Sequence, residues 1–403
     1  MRYSLGGVEV AVLGLDRAPR APPAGAGTKL THALSTSSTR PWTPDGARRV
    51  TGQRLRVQAW GETPLEALRR HVVLAPQPRP QPGPGEVVLR VRSCAVGWVD
   101  LLMMSGQYQH MAQPPYTPGL EFSGEVVAVG SAVSRVGVGD AVIADGFQAG
   151  PRSSGAYRDG GMATWAVLPE QAALPLPSSL DFDQGACLLG NYETAWHVLH
   201  HRARLQPGEW VLIHGASGST GLAGVHLAKR MGAKVIATGR TPAKLAEVQR
   251  QGADHVVQVV AGQGFREQVK ELSGGGVHVV WDGVGGDISL ESLRCVRFGA
   301  RFCIVGWAAT PFVARGGGRR GAPNANHLPT NLIQMKGLDV LGCPAVISTK
   351  HDPTLRPRRL TWLLREVERG LRPCVGPSYP LSDFKEAFEA KCRSQHVGGC
   401  VIR

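Results

Sequence analysis

The stretch Trp210-Val-Leu-Ile-His-Gly-Ala-Ser-Gly-Ser-Thr-Gly-Leu-Ala-Gly-Val-His-Leu-Ala-Lys229 decides the fold of this chain. Val211, Leu212 and Ile213 form a short apolar run of the kind shown by a parallel strand covered on both faces. Gly215, Ala216, Ser217, Gly218, Ser219, Thr220 and Gly221 follow at once. Leu222, Val225, Leu227 and Ala228 then recur at helical spacing. Strand, glycine turn and helix in that order gather free backbone N–H groups and the positive end of a helix at one point. Such a point suits a pyrophosphate, which makes Gly215 to Gly221 a candidate dinucleotide cradle. A lone glycine turn is equally a structural bend, so the flanking segments have to decide.

The next apolar run, Lys234-Val-Ile-Ala-Thr238, stands where the second strand of a βαβ unit belongs. An acidic residue about 20 residues after the glycines is the usual sensor of the adenosine ribose. This strand ends instead in Thr238-Gly239-Arg240, with Lys244 four residues on. A carboxylate here would bond the ribose hydroxyls of NAD and repel a phosphate, whereas a guanidinium favours the 2′-phosphate of NADP. Thr238, Gly239, Arg240 and Lys244 therefore predict NADPH. The plainer alternative is a solvated Arg and Lys at a helix start.

The unit repeats. Helices are expected over Leu245–Gly252, Phe265–Leu272 and Leu290–Arg297, alternating with strands over Val256–Val260, Val277–Trp281 and Arg301–Gly306. Strand–helix alternation predicts an α/β doubly wound parallel sheet with right-handed crossovers. Ligands of such sheets lie at the carboxyl ends of the strands. That rule puts the glycine turn, Thr238–Arg240, Asp282–Gly286 and Val305–Trp307 on one rim, and it adds Asp282, Val284, Val305 and Gly306 to the candidate cofactor residues. Asp282-Gly-Val-Gly-Gly286 also reads as a plain strand exit.

At 403 residues the chain can hold two cored domains. No apolar run approaches the roughly 18 residues of a membrane span. The eight cysteines are scattered, without a C-x-x-C pair, which points to reduced, mostly buried thiols and a reducing compartment. The net charge of +14 invites a nucleic-acid reading. It is spread over the N-terminal tail, Arg315–Arg320 and Lys350–Arg359, with no basic helix carrying interleaved aromatics, and this disfavours such a partner.

Residues 1–54 are rich in Pro, Ala, Gly, Ser and Arg and read as a disordered extension. Arg- and Ser-rich, acid-poor composition is that of a transit segment, and an extension without function fits as well. The location is thus expected to be cytoplasmic, or mitochondrial or plastid if the extension directs import. From about residue 55 the pattern is β: Leu55–Ala59, Val72–Leu74, Val87–Arg92, Val126–Val129 and Ala141–Ala144, with Pro76–Pro84 as a rigid linker. Leu174–Leu180 reads as the crossing into the second domain. Near Asn331 the chain is expected to return to the first, ending in a strand (Pro373–Pro380), a helix (Asp383–Arg393) and a strand (Cys400–Arg403). The domains expected are a barrel-like unit over 55–187 and 331–403, and a dinucleotide-binding unit over 188–330.

Several segments in order resemble the medium-chain dehydrogenase/reductase superfamily, on its zinc-free quinone oxidoreductase branch. They are Pro82-Gly-Pro-Gly-Glu-Val-Val-Leu-Arg-Val-Arg-Ser-Cys94, Thr117-Pro-Gly-Leu-Glu-Phe-Ser-Gly-Glu-Val-Val-Ala-Val-Gly130, Val138-Gly-Asp140, Glu193-Thr-Ala195, Gly208-Glu209, the glycine turn, Gly252-Ala-Asp254 and Leu328-Pro-Thr-Asn-Leu332. The likeness covers roughly 55–403. It implies a GroES-like β-barrel catalytic domain joined to a Rossmann domain, NADPH, and often a homodimer. Zinc-dependent members need a Cys and a Gly-His-Glu segment. Here those positions resemble Gly97 and Gly119-Leu120-Glu121, and the four-cysteine structural loop is missing, so no metal is expected.

The resemblance implies a reductase of quinones or α,β-unsaturated carbonyls. A trans-2-enoyl thioester reductase is the alternative within enzymes, and a non-catalytic NADPH-binding or RNA-binding protein the alternative outside them. Tyr108, in Ser-Gly-Gln-Tyr, resembles a proton-donating tyrosine of enoyl reductases, and it reads equally as a packed loop residue. Asn191 and Thr194 resemble positions that contact the nicotinamide end, or serve as an ordinary helix cap. The chain departs from the family at Gly97, usually Asn, where Trp98 is expected to fill the space. It departs again at Ser219-Thr220, usually Gly-Val: Ser219 offers a hydroxyl to the pyrophosphate, and Thr220 is nearly isosteric with Val. The loops 149–161 and Arg315–Arg320 border the cleft either as steering charge or as solvated surface.

Overall fold

The computed structural model describes residues 51–108, 112–150, 157–308 and 326–403. The proposed extension lies outside them except for its last residues, and so do Arg315–Arg320 and residues 151–156 of the loop after Ala149. No helix of the described residues is long and apolar enough to cross a membrane.

The first strands are β1 (Thr51–Val57), β2 (Val72–Pro78), β3 (Glu86–Ala95), β4 (Phe122–Val129), β5 (Ala141–Ala144), β6 (Trp165–Pro169) and β7 (Ala173–Pro175). Helices α1 (Pro64–His71) and α2 (Trp98–Met104) lie between them. β1 starts at Thr51, before the boundary expected at residue 54. β1 and β2 pair antiparallel from Thr51↔Pro78 to Val57↔Val72. β2 thus runs through Pro76 and Pro78, which the sequence assigns to a linker. Gln53, opposite Pro76, bonds Thr164 rather than β2, so Pro76 and Pro78 stand at positions whose N–H would point away from β1 and cost no ladder bond.

The chain then crosses through α3 (Phe182–Ala186) and α4 (Leu189–Trp196) into a six-stranded parallel sheet. Its strands are β8 (Trp210–Ile213), β9 (Lys234–Gly239), β10 (His255–Gln258), β11 (Val277–Asp282), β12 (Val296–Ile304) and β13 (Asp339–Gly342). The connecting helices are α5 (Ser219–Arg230), α6 (Pro242–Arg250), α7 (Arg266–Ser273), α8 (Asp287–Ser292) and α9 (Thr330–Met335). The strand order is β10-β9-β8-β11-β12-β13. The order reverses between β8 and β11, so the turn leaving β8 opens onto the topological switch point, where such sheets bind dinucleotides. Val211, Ile213, Val235, Ala237, Val279 and Trp281 bury one face, while Leu212, Ile236, Val257, Val280 and Phe302 bury the other. Both faces are covered, as the continuous apolar runs require.

Two expectations fail in this sheet. The helix expected over Leu290–Arg297 is shorter and earlier, Asp287–Ser292, and Val296 already pairs with Val277 of β11. The next pairing is Val279↔Arg301, so residues after Val296 loop out around Gly299 (φ +73°) and leave Phe298 exposed. Nor does the chain return to the first domain near Asn331. β13 extends the parallel sheet beside β12, with Arg301↔Asp339 to Ile304↔Gly342.

α10 (Ala345–His351) and α11 (Leu355–Glu368) follow, and Leu363 and Val367 of α11 join the core of the parallel sheet. Only then do β14 (Val375–Tyr379), α12 (Phe384–Cys392) and β15 (Gly399–Ile402) complete the first sheet, in the order β14-β15-β3-β4-β5-β7 with β6 also on β3. Leu55, Leu89, Phe122, Val126, Phe388 and Ile402 belong to its core.

Candidate cofactor cleft and active site

The glycine turn has the geometry of an open cradle. Gly215 takes φ +64°, a left-handed conformation that suits glycine. A Cβ on Gly221 would stand 2.4 Å from the Gly215 carbonyl oxygen, so the helix can start this close to the strand only without a side chain there. Gly215 and Gly218 are exposed at the rim, and the first N–H groups of α5 have no helical acceptor. Val284, from the second glycine-rich turn, faces Gly215, with 3.5 Å from its Cγ2 to where a Gly215 Cβ would be. These residues fit the diphosphate of a dinucleotide: backbone donors converge on a space that side chains leave free.

Below the rim, polar side chains serve the turn itself. Thr238 is buried, and its Oγ1 lies 2.7 Å from His214 Nδ1. His214 Nε2 lies 2.7 Å from Ser292 Oγ, which in turn donates to the Ile288 carbonyl. With its only hydrogen spent there, Ser292 accepts from Nε2, and Thr238 donates to Nδ1. Burial holds the His214 pKa down to about 4, against the opposing pull of Asp282, so the ring is neutral. Asp282 is buried too and accepts from the N–H groups of Val284 and Gly285 (2.9 and 2.8 Å) and from Ser289 Oγ. Thr238 and Asp282 thus shape the rim through their side chains. Val305 N–H and Gly306 N–H bond the Asp282 carbonyl and complete it.

At the far end of β9 the Arg240 side chain is exposed, and Lys244 is half-buried on α6. Burial first, and then the Arg240 charge, hold the Lys244 ammonium below its usual range. Two cations side by side without an acid are a fitting receptor for a phosphate monoester.

The opposite wall comes from the first sheet and α4. Asn191 accepts a hydrogen bond from Thr220 Oγ1 (2.9 Å) and donates to the Cys187 carbonyl (3.1 Å). Thr220 is therefore more than a stand-in for Val, since its hydroxyl ties α5 to α4. Ser219 does not offer its hydroxyl to the turn. It donates to the Gly398 carbonyl (3.0 Å) and accepts from Lys391 Nζ (3.1 Å). Gly398 N–H bonds the Ser217 carbonyl, so the segment before β15 lies against the glycine turn. Thr194 is half-buried on α4. Tyr108 is half-buried and packs against the core of the first sheet, next to residues 109–111, which lie outside the described chain. Gly97 caps α2, its N–H on Asp100 Oδ2 (3.2 Å), and Trp98 beside it is 38% exposed rather than filling the gap.

Several site residues were not evident in the sequence. Glu121 reaches across from the start of β4 and accepts the Gly190 N–H at the head of α4. A Cβ on Gly190 would fall 2.3 Å from Glu121 Oε1, so residue 190 has to be glycine for the carboxyl to sit there. Burial, reinforced by Asp100 and Glu193, outweighs the Gly190 hydrogen bond and Lys391 and pushes the Glu121 pKa up to about 7. Glu193, one turn further along α4, is clamped by two buried arginines of α11. Arg356 donates to both its oxygens (2.9 and 3.1 Å) and to Asp145 of the first sheet (2.8 Å). Arg359 Nε donates to Glu193 Oε2 at 2.7 Å. Among the described residues, no three His, Cys, Asp or Glu side chains group as a metal-ligating set.

A GroES-like sheet joined through α4 to a six-stranded Rossmann sheet, with the cradle at the switch point, is the architecture of medium-chain dehydrogenases/reductases. Residues 83–178 match the alcohol dehydrogenase GroES-like domain and residues 219–349 the zinc-binding dehydrogenase family. The mouse (Mus musculus) quinone oxidoreductase-like protein 2 is 34% identical over 82% of this chain and 87% of its own. The rat (Rattus norvegicus) quinone oxidoreductase is 30% identical over 88% of this chain and 99% of its own. The quinone oxidoreductase of Thermus thermophilus, solved also as its NADPH complex, superposes with a TM-score of 0.67 at 27% identity, covering 87% of this chain and 99% of that one. The chain belongs to the medium-chain dehydrogenase/reductase superfamily of oxidoreductases, among its quinone oxidoreductase-like members.

Proposed function

We propose that this protein is an NADPH-dependent, zinc-independent reductase of quinones or α,β-unsaturated carbonyls. The observation that carries the reading is the open glycine cradle at the switch point, with Arg240 and Lys244, and no acid, at the end of the next strand. Relatives named quinone oxidoreductase, one of them solved with NADPH, support it. The residues proposed for the cofactor are Gly215–Gly221, Gly239, Arg240, Lys244, Val284, Val305, Gly306, Asn191 and Thr194, with Thr238 and Asp282 acting through the backbone they hold.

Bound NADPH supplies a hydride to the electrophilic carbon of the substrate. The chain has to orient the acceptor, keep water out and return a proton to the reduced product. Tyr108 is the proposed donor, since a phenol is protonated at neutral pH and packs flat against an apolar wall. No step needs a Lewis acid supplied by side chains, which agrees with Gly97 and Leu120 standing where zinc-dependent relatives place ligands.

We also infer a homodimer. β13 is one edge of the parallel sheet, and Val340 on it, with Met335 nearby in sequence and Phe298 against Gly337, exposes apolar surface. Sedimentation should give twice the chain mass.

The test is NADPH oxidation against 1,4-benzoquinone, 9,10-phenanthrenequinone, a 2-alkenal and crotonyl-CoA, with NADH and Tyr108→Phe as controls. Turnover of a quinone or the alkenal supports the proposal, and turnover of crotonyl-CoA alone selects the thioester reductase. Tight NADPH binding without any turnover replaces it with the non-catalytic reading.

A further inference from the structure

Lys391 sits in an unfavourable place for a lysine. It projects from α12 of the first sheet, and its ammonium donates to Ser219 Oγ (3.1 Å), the first residue of α5. A helix N-terminus carries roughly half a positive charge, so a cation there is repelled unless an anion joins it. Among the described residues no carboxylate comes within ion-pair distance of Lys391. Its nearest acid in the cleft, Glu121, is committed to the Gly190 N–H. The same segment also meets Lys244 of α6, and burial, then the fields of Lys391 and Lys244, keeps the His396 ring neutral. Lys244 Nζ donates to the Ser394 carbonyl, and the His396 imidazole, bonded to Tyr379 at 2.8 Å, is held below its usual pKa by burial and then by Lys391 and Lys244. Lys391 thus stands at the α5 N-terminus with Lys244 and Arg240 further along the same rim, and although its charge reaches the Glu121 carboxyl, no ion pair holds it among the described residues.

We propose that Lys391, although carried by the barrel, is a pyrophosphate-binding residue of the cofactor site and clamps the diphosphate against the N-terminus of α5 from across the domain boundary. The inference rests on the dinucleotide reading above and deepens it. Arg240 and Lys244 answer for the 2′-phosphate, whereas Lys391 faces the diphosphate, which NADPH and NADH share. Ser219 then has a clear part. Its hydroxyl donates to the Gly398 carbonyl and accepts from Lys391, so it aims the ammonium at the turn.

The experiment is equilibrium binding to the purified full chain, followed by nicotinamide fluorescence for NADPH and NADH and by calorimetry for adenosine 2′-monophosphate, which lacks a diphosphate. Lys391→Met should weaken NADPH and NADH by the same factor, about ten-fold or more, the worth of one charge-assisted hydrogen bond. It should leave adenosine 2′-monophosphate unchanged, and Lys391→Arg should recover most of the loss. Unchanged dinucleotide affinities overturn the proposal. So does a matching loss of adenosine 2′-monophosphate, which would mean that Lys391 merely supports the fold. If the wild-type chain binds adenosine 2′-monophosphate but neither dinucleotide, the cofactor reading itself falls, and the clamp with it.

Discussion

Glu121→Gln isolates the energetic consequence of burying an acid in the cleft. In the unfolded chain this carboxyl titrates in the ordinary range, while in the folded chain its pKa is pushed up to about 7, chiefly by burial. Between those values the folded protein keeps a proton that the unfolded chain has released, so wild-type stability falls as pH rises through the window and levels off above 7. Raising the carboxyl from its usual value to about 7 is worth about 3 kcal/mol in full. About 1 kcal/mol of that is already lost at pH 5, which leaves about 2 kcal/mol between pH 5 and pH 8. Glutamine keeps an oxygen for the Gly190 N–H and cannot ionise. The assay is urea unfolding of wild type and variant at both pH values, because every other titrating group cancels in the difference. The variant should gain about 2 kcal/mol on wild type on going from pH 5 to pH 8. A gain below about 0.5 kcal/mol would mean that the carboxyl ionises normally in the fold, and that its surroundings do not disfavour the charge.

Arg240→Ala should raise the dissociation constant for NADPH at least ten-fold and leave that for NADH nearly unchanged, and equal effects would remove the 2′-phosphate assignment. Gly221→Ala forces a methyl to 2.4 Å from the Gly215 carbonyl oxygen, so it should cost about 1–3 kcal/mol of stability by thermal melting and abolish saturable NADPH binding. Glu193→Gln leaves two buried guanidiniums short of a counter-charge and should destabilise by about 3–5 kcal/mol in urea. A loss under 1 kcal/mol would show that Asp145 and Thr349 suffice to hold them.

The parallel sheet was legible because its signals are local. Val211–Ile213, Lys234–Thr238 and Val277–Trp281 are continuous apolar runs, and the glycines between β8 and α5 are needed for contacts within a few residues of themselves. β13 was not legible for the opposite reason. Asp339–Gly342 is a four-residue segment whose identity as a strand comes from its partner β12 rather than from its own pattern. The helix expected over Leu290–Arg297 fails similarly, because Val296 is drawn into pairing with Val277. In the cleft, sequence spacing placed Arg240 and Lys244 together but not Glu121 with Gly190, which are 69 residues apart, or Lys391 with Ser219, 172 apart. Ser219 itself shows the limit of reading a motif residue by residue. The motif assigns it to the turn, and the fold assigns it to a segment from the other domain.

The distribution of polar cross-links also says where the cleft can open. α4 is fastened to the first sheet by Glu121 on the Gly190 N–H and by the Asp145–Arg356–Glu193 bridge. It is fastened to α5 by Thr220 on Asn191 and by Tyr192 on His226 Nδ1 (2.8 Å). Separating the sheets along this line would strand buried charges, at a cost of several kcal/mol. On the other side the segment from Lys391 to Gly398 meets the glycine turn and α6 through hydrogen bonds without an ion pair: Ser219 with Lys391 and the Gly398 carbonyl, the Gly398 N–H on the Ser217 carbonyl, and Lys244 on the Ser394 carbonyl. Such bonds are worth about 1 kcal/mol each and exchange readily with water. Separation on that side strands no buried ion pair, so it costs less than separation along α4.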